Sequence, residues 1–188
     1  MSDPTLVFIG FCWAAWLLYW VAMAFTNKRT VERGSFFGYR IVAGGVFLVC
    51  LGAGQLLHIN SRTSFWHTSL ALGVVTDAIV VAGFAIMVWA RIALGRNWSA
   101  EVTFKEDHEL IESGPYALAR HPIYTGLLTM ALGTAINYGH AISLALFITT
   151  CAAIWWKARL EERVMTKHFP DTYAAYRARV RAIVPFVL

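Results

Sequence analysis

Residues 69–94 read SLALGVVTDAIVVAGFAIMVWARIAL, an apolar run in which Asp77 is the only acid. A membrane-spanning helix needs about 20 largely apolar residues to cross a hydrocarbon core roughly 30 Å thick, so Ser69–Leu94 reads as a transmembrane helix. Working outward, Leu6–Phe25 and Tyr39–Leu57 meet the same requirement. Two shorter runs, Ile123–Tyr138 and Ala141–Trp156, flank the turn-forming Asn137-Tyr138-Gly139-His140. These runs predict an all-α integral membrane protein with five transmembrane helices. The fourth and fifth are expected to form a hairpin with Tyr and Trp at its interfacial ends.

The composition agrees. The chain has 188 residues, 58% hydrophobic and 14% charged, against about 45–50% and 25% in an ordinary soluble domain. That excludes a soluble globular protein, and the low charge and high aromatic content also exclude a disordered or nucleic-acid-binding tail. Cys12, Cys50 and Cys151 all lie in apolar runs without a CxxC pair, so they read as small buried side chains rather than metal ligands or disulfides. Met1–Thr5 lacks a basic n-region and the first run is too long for a signal h-region, so that span is expected to remain in the mature protein.

Orientation follows from Lys and Arg. Lys28, Arg29, Arg33 and Arg40 follow the first span; Arg96, Lys105 and Arg120 follow the third; Lys157, Arg159, Arg163, Lys167, Arg177, Arg179 and Arg181 follow the fifth. Five spans put all three groups on one side, and the His58–Thr68 connection on the other side carries only Arg62. The positive-inside tendency then predicts an outside N-terminus and a cytoplasmic C-terminus. With no internal repeat, 1–188 reads as one domain, with the N-terminal spans over 6–94 and the candidate chemistry over 95–188. Asp77, an ionisable group inside a span, is a functional candidate by default; a place near a helix end or a hydrogen bond to a neighbouring helix accounts for it equally.

Two cytoplasmic pieces carry the chemistry. In the first, Ser113-Gly114-Pro115 is a turn and Pro122 suits the first helical position, which sets Arg120 and His121 at a helix mouth. Free N–H groups there suit anionic ligand atoms, although Arg and His could simply anchor the helix at the headgroups. In the second, Glu161 and Glu162 lie just beyond the fifth span, with Lys157 four residues before Glu161 on the same face. Such a pair suits a cationic ligand or an ordinary intrahelical ion pair. Phe169, Tyr173, Tyr176 and Val180 then repeat at helical spacing beside Arg177, Arg179 and Arg181, predicting a C-terminal cytoplasmic amphipathic helix attached to the membrane. The sequence has no HExxH, GxSxG, Walker or GxGxxG element, and His108, His121 and His168 are not at mutual ligand spacing, so no metal is expected.

Taken together, LGRNWS (94–99), HELIESGPYALARHPIYTGLL (108–128) and EERVMTKHFPDTYAAY (161–176) resemble the isoprenylcysteine carboxyl methyltransferase family, integral membrane enzymes that use S-adenosylmethionine. The resemblance covers roughly the C-terminal half, and the combination of GPY, RHPxY, EE and F-x3-Y-x2-Y is more specific than any one piece. It implies that His108, Glu109, Leu110 and Ile111 line the cofactor, together with Tyr116, His121, Pro122, Ile123, Tyr124 and Glu161. Where the family usually has an Arg facing the substrate, four residues before Glu161, this chain has Lys157, with Arg159 two positions on. Lys gives a point charge rather than a planar fork.

The implied activity is methyl transfer to a lipophilic acceptor at the membrane–cytosol interface, with cofactor entering from the cytosol and the apolar tail from the bilayer. A carboxylate acceptor needs no general base, and Lys157, Arg159 or Arg120 would orient it. An amine or thiol must lose a proton, making Glu162 or His121 the candidate base; Arg120 and Glu162 are the catalytic candidates. Phospholipid N-methylation, methylation of another small lipophilic nucleophile, a sterol-reductase-like activity with a nicotinamide cofactor and a non-catalytic scaffold are the rivals.

Overall fold

The structure, a computed structural model, describes residues 4–24, 30–33, 64–95, 103–105 and 110–185. The expected span Tyr39–Leu57, and Cys50 within it, lie outside these residues. The helices are α1 (Pro4–Ala24), α2 (Leu70–Leu94), α3 (Pro122–Tyr138), α4 (Ala141–His168) and α5 (Pro170–Arg179), with a 3-10 turn at Gly114–Ala117. A short antiparallel ribbon, β1 (Thr30–Arg33) with β2 (Thr103–Lys105), qualifies the all-α expectation; Thr30 faces Lys105 and Arg33 faces Thr103.

Three of these helices, over Pro4–Met23, Leu70–Leu94 and Ala141–His168, are long and apolar enough to cross a membrane. Their outer faces are what lipid requires: Phe11 and Leu18 are each 70% exposed and Ile148 66%. The caps explain where they stop. Ser69 accepts a hydrogen bond from the Leu72 amide at 3.2 Å, opening α2. Pro122 opens α3, and Gly139, left-handed at φ +62°, closes it by donating its N–H to the Ala135 carbonyl. Only Gly139 and His140 separate α3 from α4. The apolar run ends at Trp156, but α4 continues unbroken to His168, so Glu161 and Glu162 stand on the helix that leaves the membrane.

The core forms where α2 crosses α3. A Cβ on Gly83 would stand 2.6 Å from the Gly126 carbonyl, and one on Gly126 2.5 Å from the Gly83 carbonyl. Without side chains between them the two backbones touch, which is how helices associate in a solvent as apolar as themselves. Val80, Met87 and Met130 pack around the crossing with Ile9 of α1, joined by Cys12, Trp13, Trp16 and Trp20. Polar groups are paired across the helices: Asn137 donates to Thr76 Oγ1 at 2.7 Å and Thr5 Oγ1 at 3.2 Å, and Trp13 Nε1 to Thr134 at 3.1 Å. The intramembrane polar network centres on Asn137 and Thr76, beside the half-buried Asp77.

One expectation is corrected. The stripe Phe169, Tyr173, Tyr176 and Val180 does form a helical face, but it packs on protein rather than lipid. Tyr173 and Tyr176 are 3% and 2% exposed and cluster with Leu110 and Met165. The Tyr176 hydroxyl donates to the Tyr116 carbonyl at 2.6 Å.

The crossing yields a test. Gly126→Val should destabilise the protein in detergent by about 1–3 kcal/mol through overpacking, read as a lowered thermal midpoint. Gly10→Ala, whose added Cβ meets nothing within 4 Å, should be neutral or slightly stabilising. Equal midpoints for wild type and Gly126→Val would remove the glycine contact as the basis of helix association.

Candidate active site at the mouth of α3

The site is assembled by three pieces of chain. The GPY turn seats Tyr116 in the interior, 7% exposed. Next, the backbone N–H groups of Arg120 and His121 donate to the carbonyls of Arg181 at 2.8 Å and Ala182 at 2.9 Å. The C-terminal segment thus folds back onto the mouth of α3, with Ala182 and Ile183 buried against Ile154 of α4. These two donors, expected to be open to an anionic ligand, are taken by the protein's own tail.

Arg120 is the clamp. Its Nε and Nη2 donate to Glu162 Oε1 at 2.9 and 2.6 Å, and Nη1 donates to the carbonyls of Val180 and, at 3.3 Å, Arg177. The side chains of the pair are 8% and 5% exposed. Both residues are candidates for catalysis from sequence; in the structure Arg120 is engaged by Glu162 Oε1 and by backbone carbonyls.

Glu161 is different. It accepts a hydrogen bond from the Tyr124 hydroxyl, lies 3.4 Å from His121 Nδ1 and 4.0 Å from Lys157 Nζ, and keeps 22% of its side chain exposed. His121 stacks on Tyr124 with ring centroids 5.4 Å apart, and Lys157 Nζ sits 5.4 Å above the same Tyr124 ring. Of the adjacent carboxylates, Glu162 has one oxygen bonded to Arg120 and a side chain 5% exposed, and Glu161 is the more exposed of the two.

Burial opposes charging His121, but its hydrogen bonds and Coulomb attraction to Glu161 and Glu162 outweigh that and hold its pKa above the ordinary histidine value. Burial, with the charge of Glu161 second, pushes the Tyr116 hydroxyl far above its usual range. Burial does the same for Tyr173 and Tyr176, so all three phenols stay protonated.

The other expected residues divide. Pro122 is buried at the helix start. Ile123 packs into the Ile9–Met87 core, away from the charged cluster. Leu110 joins the Tyr173–Tyr176 cluster, and Ile111 is half-buried beside it in sequence. Arg159 does not join Lys157: two residues on, it is carried to the other side of α4, where its guanidinium lies 5.4 Å from the Trp155 ring. His108 and Glu109 lie outside the described residues. Sequence reading missed Arg91, fully buried in the last turn of α2. It donates to the carbonyls of Met23, at 3.0 Å, and Gly95, tying the ends of α1 and α2 together. An Arg four residues before a helix-ending Gly was the available signal.

The donor set suits S-adenosylmethionine chemically. A partly open carboxylate bordered by two aromatic rings can accept bonds from ribose hydroxyls or an ammonium and lies near a sulfonium charge. Among the described residues no group of three or more His, Cys, Asp and Glu side chains could hold a metal.

Comparison with known proteins agrees with this geometry. The family model for the isoprenylcysteine carboxyl methyltransferase (ICMT) family matches residues 74–167. A protein-S-isoprenylcysteine O-methyltransferase of Schizosaccharomyces pombe is 33% identical over 69% of this chain, which spans about half, 53%, of that protein's length. A probable protein-S-isoprenylcysteine O-methyltransferase of Oryza sativa subsp. indica is 26% identical over 92% of this chain and 96% of its own. The solved structure of a eukaryotic intramembrane Ras methyltransferase ICMT superposes with a TM-score of 0.61, covering 100% of this chain and 69% of that one at 19% identity, a likeness of fold. A match over half the chain, running from α2 through the acidic pair on α4, shows that this protein belongs to the isoprenylcysteine carboxyl methyltransferase family.

Proposed function

We propose that the protein is an S-adenosylmethionine-dependent carboxyl O-methyltransferase acting on an isoprenylcysteine-type acceptor at the membrane–cytosol interface. The observation that carries this reading is the state of the two groups able to act as a base. Glu162 Oε1 accepts from Arg120, and His121 lies 3.4 and 3.5 Å from the two carboxylates, which hold its pKa above the ordinary histidine value. A site whose two candidate bases are engaged with neighbouring charges suits a nucleophile that is already ionised at neutral pH, a carboxylate, better than a lipid amine that must first lose a proton. A phospholipid N-methyltransferase is therefore the weaker reading.

Bound S-adenosylmethionine supplies an electrophilic methyl group. Glu161, Tyr124, His121 and Tyr116 are the residues placed to hold it, with Leu110, Ile111 and Pro122 as apolar walls and His108 and Glu109 completing the set that the family resemblance implies. Lys157, between Glu161 and the Tyr124 ring, orients the acceptor carboxylate as a point charge. No proton moves, so the site's task is to bring the nucleophile to near-attack distance and exclude water. Arg120 and Glu162 hold the mouth of α3, the end of α4 and the C-terminal segment in register around that point.

For topology we infer five crossings, α3 and α4 forming a hairpin and Tyr39–Leu57 supplying the second span, with the N-terminus outside and the site cytoplasmic. The apolar tail of the acceptor enters from the bilayer between helices.

Calorimetry on detergent-purified protein should show binding of S-adenosylmethionine and S-adenosylhomocysteine and none of NADPH; binding of neither sulfur compound to folded protein would favour a scaffold. Glu161→Gln should weaken cofactor binding about tenfold or more, the loss of one charge-assisted bond, in protein that still folds. Lys157→Arg should keep or raise turnover of a prenylcysteine acceptor, and a severe loss would point to a neutral nucleophile. The raised pKa of His121 fixes a sign. Its stabilising contribution is complete below the unfolded value of about 6.5 and is lost as pH rises through the higher folded value. The midpoint difference between wild type and His121→Asn should thus be largest below about pH 6.5 and shrink above it; a pH-independent difference would show that His121 is not charged in the fold.

A further inference from the structure

The charged end of α4 has two faces. At 3.6 residues per turn, Lys157 and Glu161 share one, while Arg159, Arg163 and Thr166 fall on the opposite one. There they border an open cleft of ≈360 Å³ lined also by Glu162 and by Arg177 of α5. The volume lies within the range of small-ligand pockets, roughly 300–1,000 Å³. Its wall is strongly basic, because its one acid, Glu162, is already paired with Arg120. The Thr166 hydroxyl is committed to the Glu162 carbonyl at 2.7 Å, leaving three guanidiniums as the donors. Arg159 and Arg163, four apart, repel each other on a helix, and Arg177 from a second helix adds to that repulsion, so this convergence favours a bound anion.

Position says which one. Arg159 lies against Trp155, and Trp155 and Trp156 close the apolar half of α4 where interfacial aromatics sit at headgroup level. Guanidinium is the side chain that grips phosphate through two parallel bonds. We propose that the Arg159–Arg163–Arg177 cleft is a binding site for the phosphate of an anionic phospholipid headgroup, back to back with the methyl-transfer site and joined to it through the Glu162–Arg120 pair. This inference rests on α4 crossing the bilayer and not on the identity of the methyl acceptor.

The test measures thermal midpoints of the full chain in neutral detergent micelles doped with phosphatidylglycerol or with phosphatidylcholine of matched chains, and in a separate arm with inorganic phosphate. Phosphatidylglycerol should raise the midpoint of the wild type where phosphatidylcholine does not. Arg163→Gln/Arg177→Gln should weaken the apparent affinity about tenfold or more. Arg181→Gln, an exposed arginine outside the cleft, should keep the response. An equal response to inorganic phosphate alone would overturn the lipid assignment in favour of a free anion. No response in the wild type, or an undiminished one in the double variant, would overturn the site itself. If the double variant does not fold, native mass spectrometry of the wild type decides: preferential retention of one phosphatidylglycerol supports the site, and retention equal to that of phosphatidylcholine overturns it.

Discussion

One guanidinium holds the charged end of this protein together. Arg120 reaches Glu162 on α4 and the Arg177 and Val180 carbonyls at the end of α5, while its own backbone N–H is taken by Arg181. Desolvating two charges is expensive, and such a pair is no simple gain in stability; once formed, however, removing either partner strands a buried charge at a cost of about 3–5 kcal/mol. Its value lies in specification. Three segments distant in sequence have one relative arrangement that satisfies the pair, and Glu161, one residue along, inherits its position from that arrangement.

Inside the bilayer a different constraint operates. Lipid gives no hydrophobic reward for bringing helices together, so contact area and paired polar groups decide association. The two glycines provide the contact at the α2–α3 crossing, and Asn137 with Thr76 and Thr5 provides the polar pairing nearer the other end. Phe65 and Trp66 bind the end of α3 through the Gly139 and Ile136 carbonyls. Each end of α3 is thereby fixed by backbone bonds to segments that are not helical.

Much of this was legible in the chain. Twenty-residue apolar runs mark spans because the thickness of the hydrocarbon core imposes the length, and Pro122 and Gly139 mark the ends of α3 because their backbones permit little else there. The RHPxY and EE elements pointed to a site whose side chains do meet. What escaped was of another kind. How far α4 runs past Glu161, to His168, was hidden because hydropathy reports where apolarity stops and not where a helix stops. A periodic aromatic stripe shows that a helix has an apolar face, yet says nothing of whether lipid or protein covers it, so the α5 stripe was assigned to the wrong medium. The return of the Arg181 and Ala182 carbonyls to α3 is long-range backbone pairing, which leaves no trace in side-chain pattern. Two adjacent carboxylates look alike in sequence; only the partner of each, Arg120 for one and Tyr124 with Lys157 for the other, tells them apart.

The unbroken course of α4 also makes it a gauge of depth. From Ala141 to Glu161 is 20 residues, about 30 Å at 1.5 Å each, of which about 22 Å is the apolar run to Trp156 and about 8 Å rises beyond it through the headgroup layer. A rigid rod of that length ties the carboxylate pair to the opposite leaflet. In a thinner bilayer the pair is lifted toward bulk water, and in a thicker one drawn toward the acyl boundary unless the helix changes tilt, at a fraction of a kcal/mol per Å of mismatch. The lipid composition of the host membrane therefore sets how far above the acyl boundary the carboxylates stand.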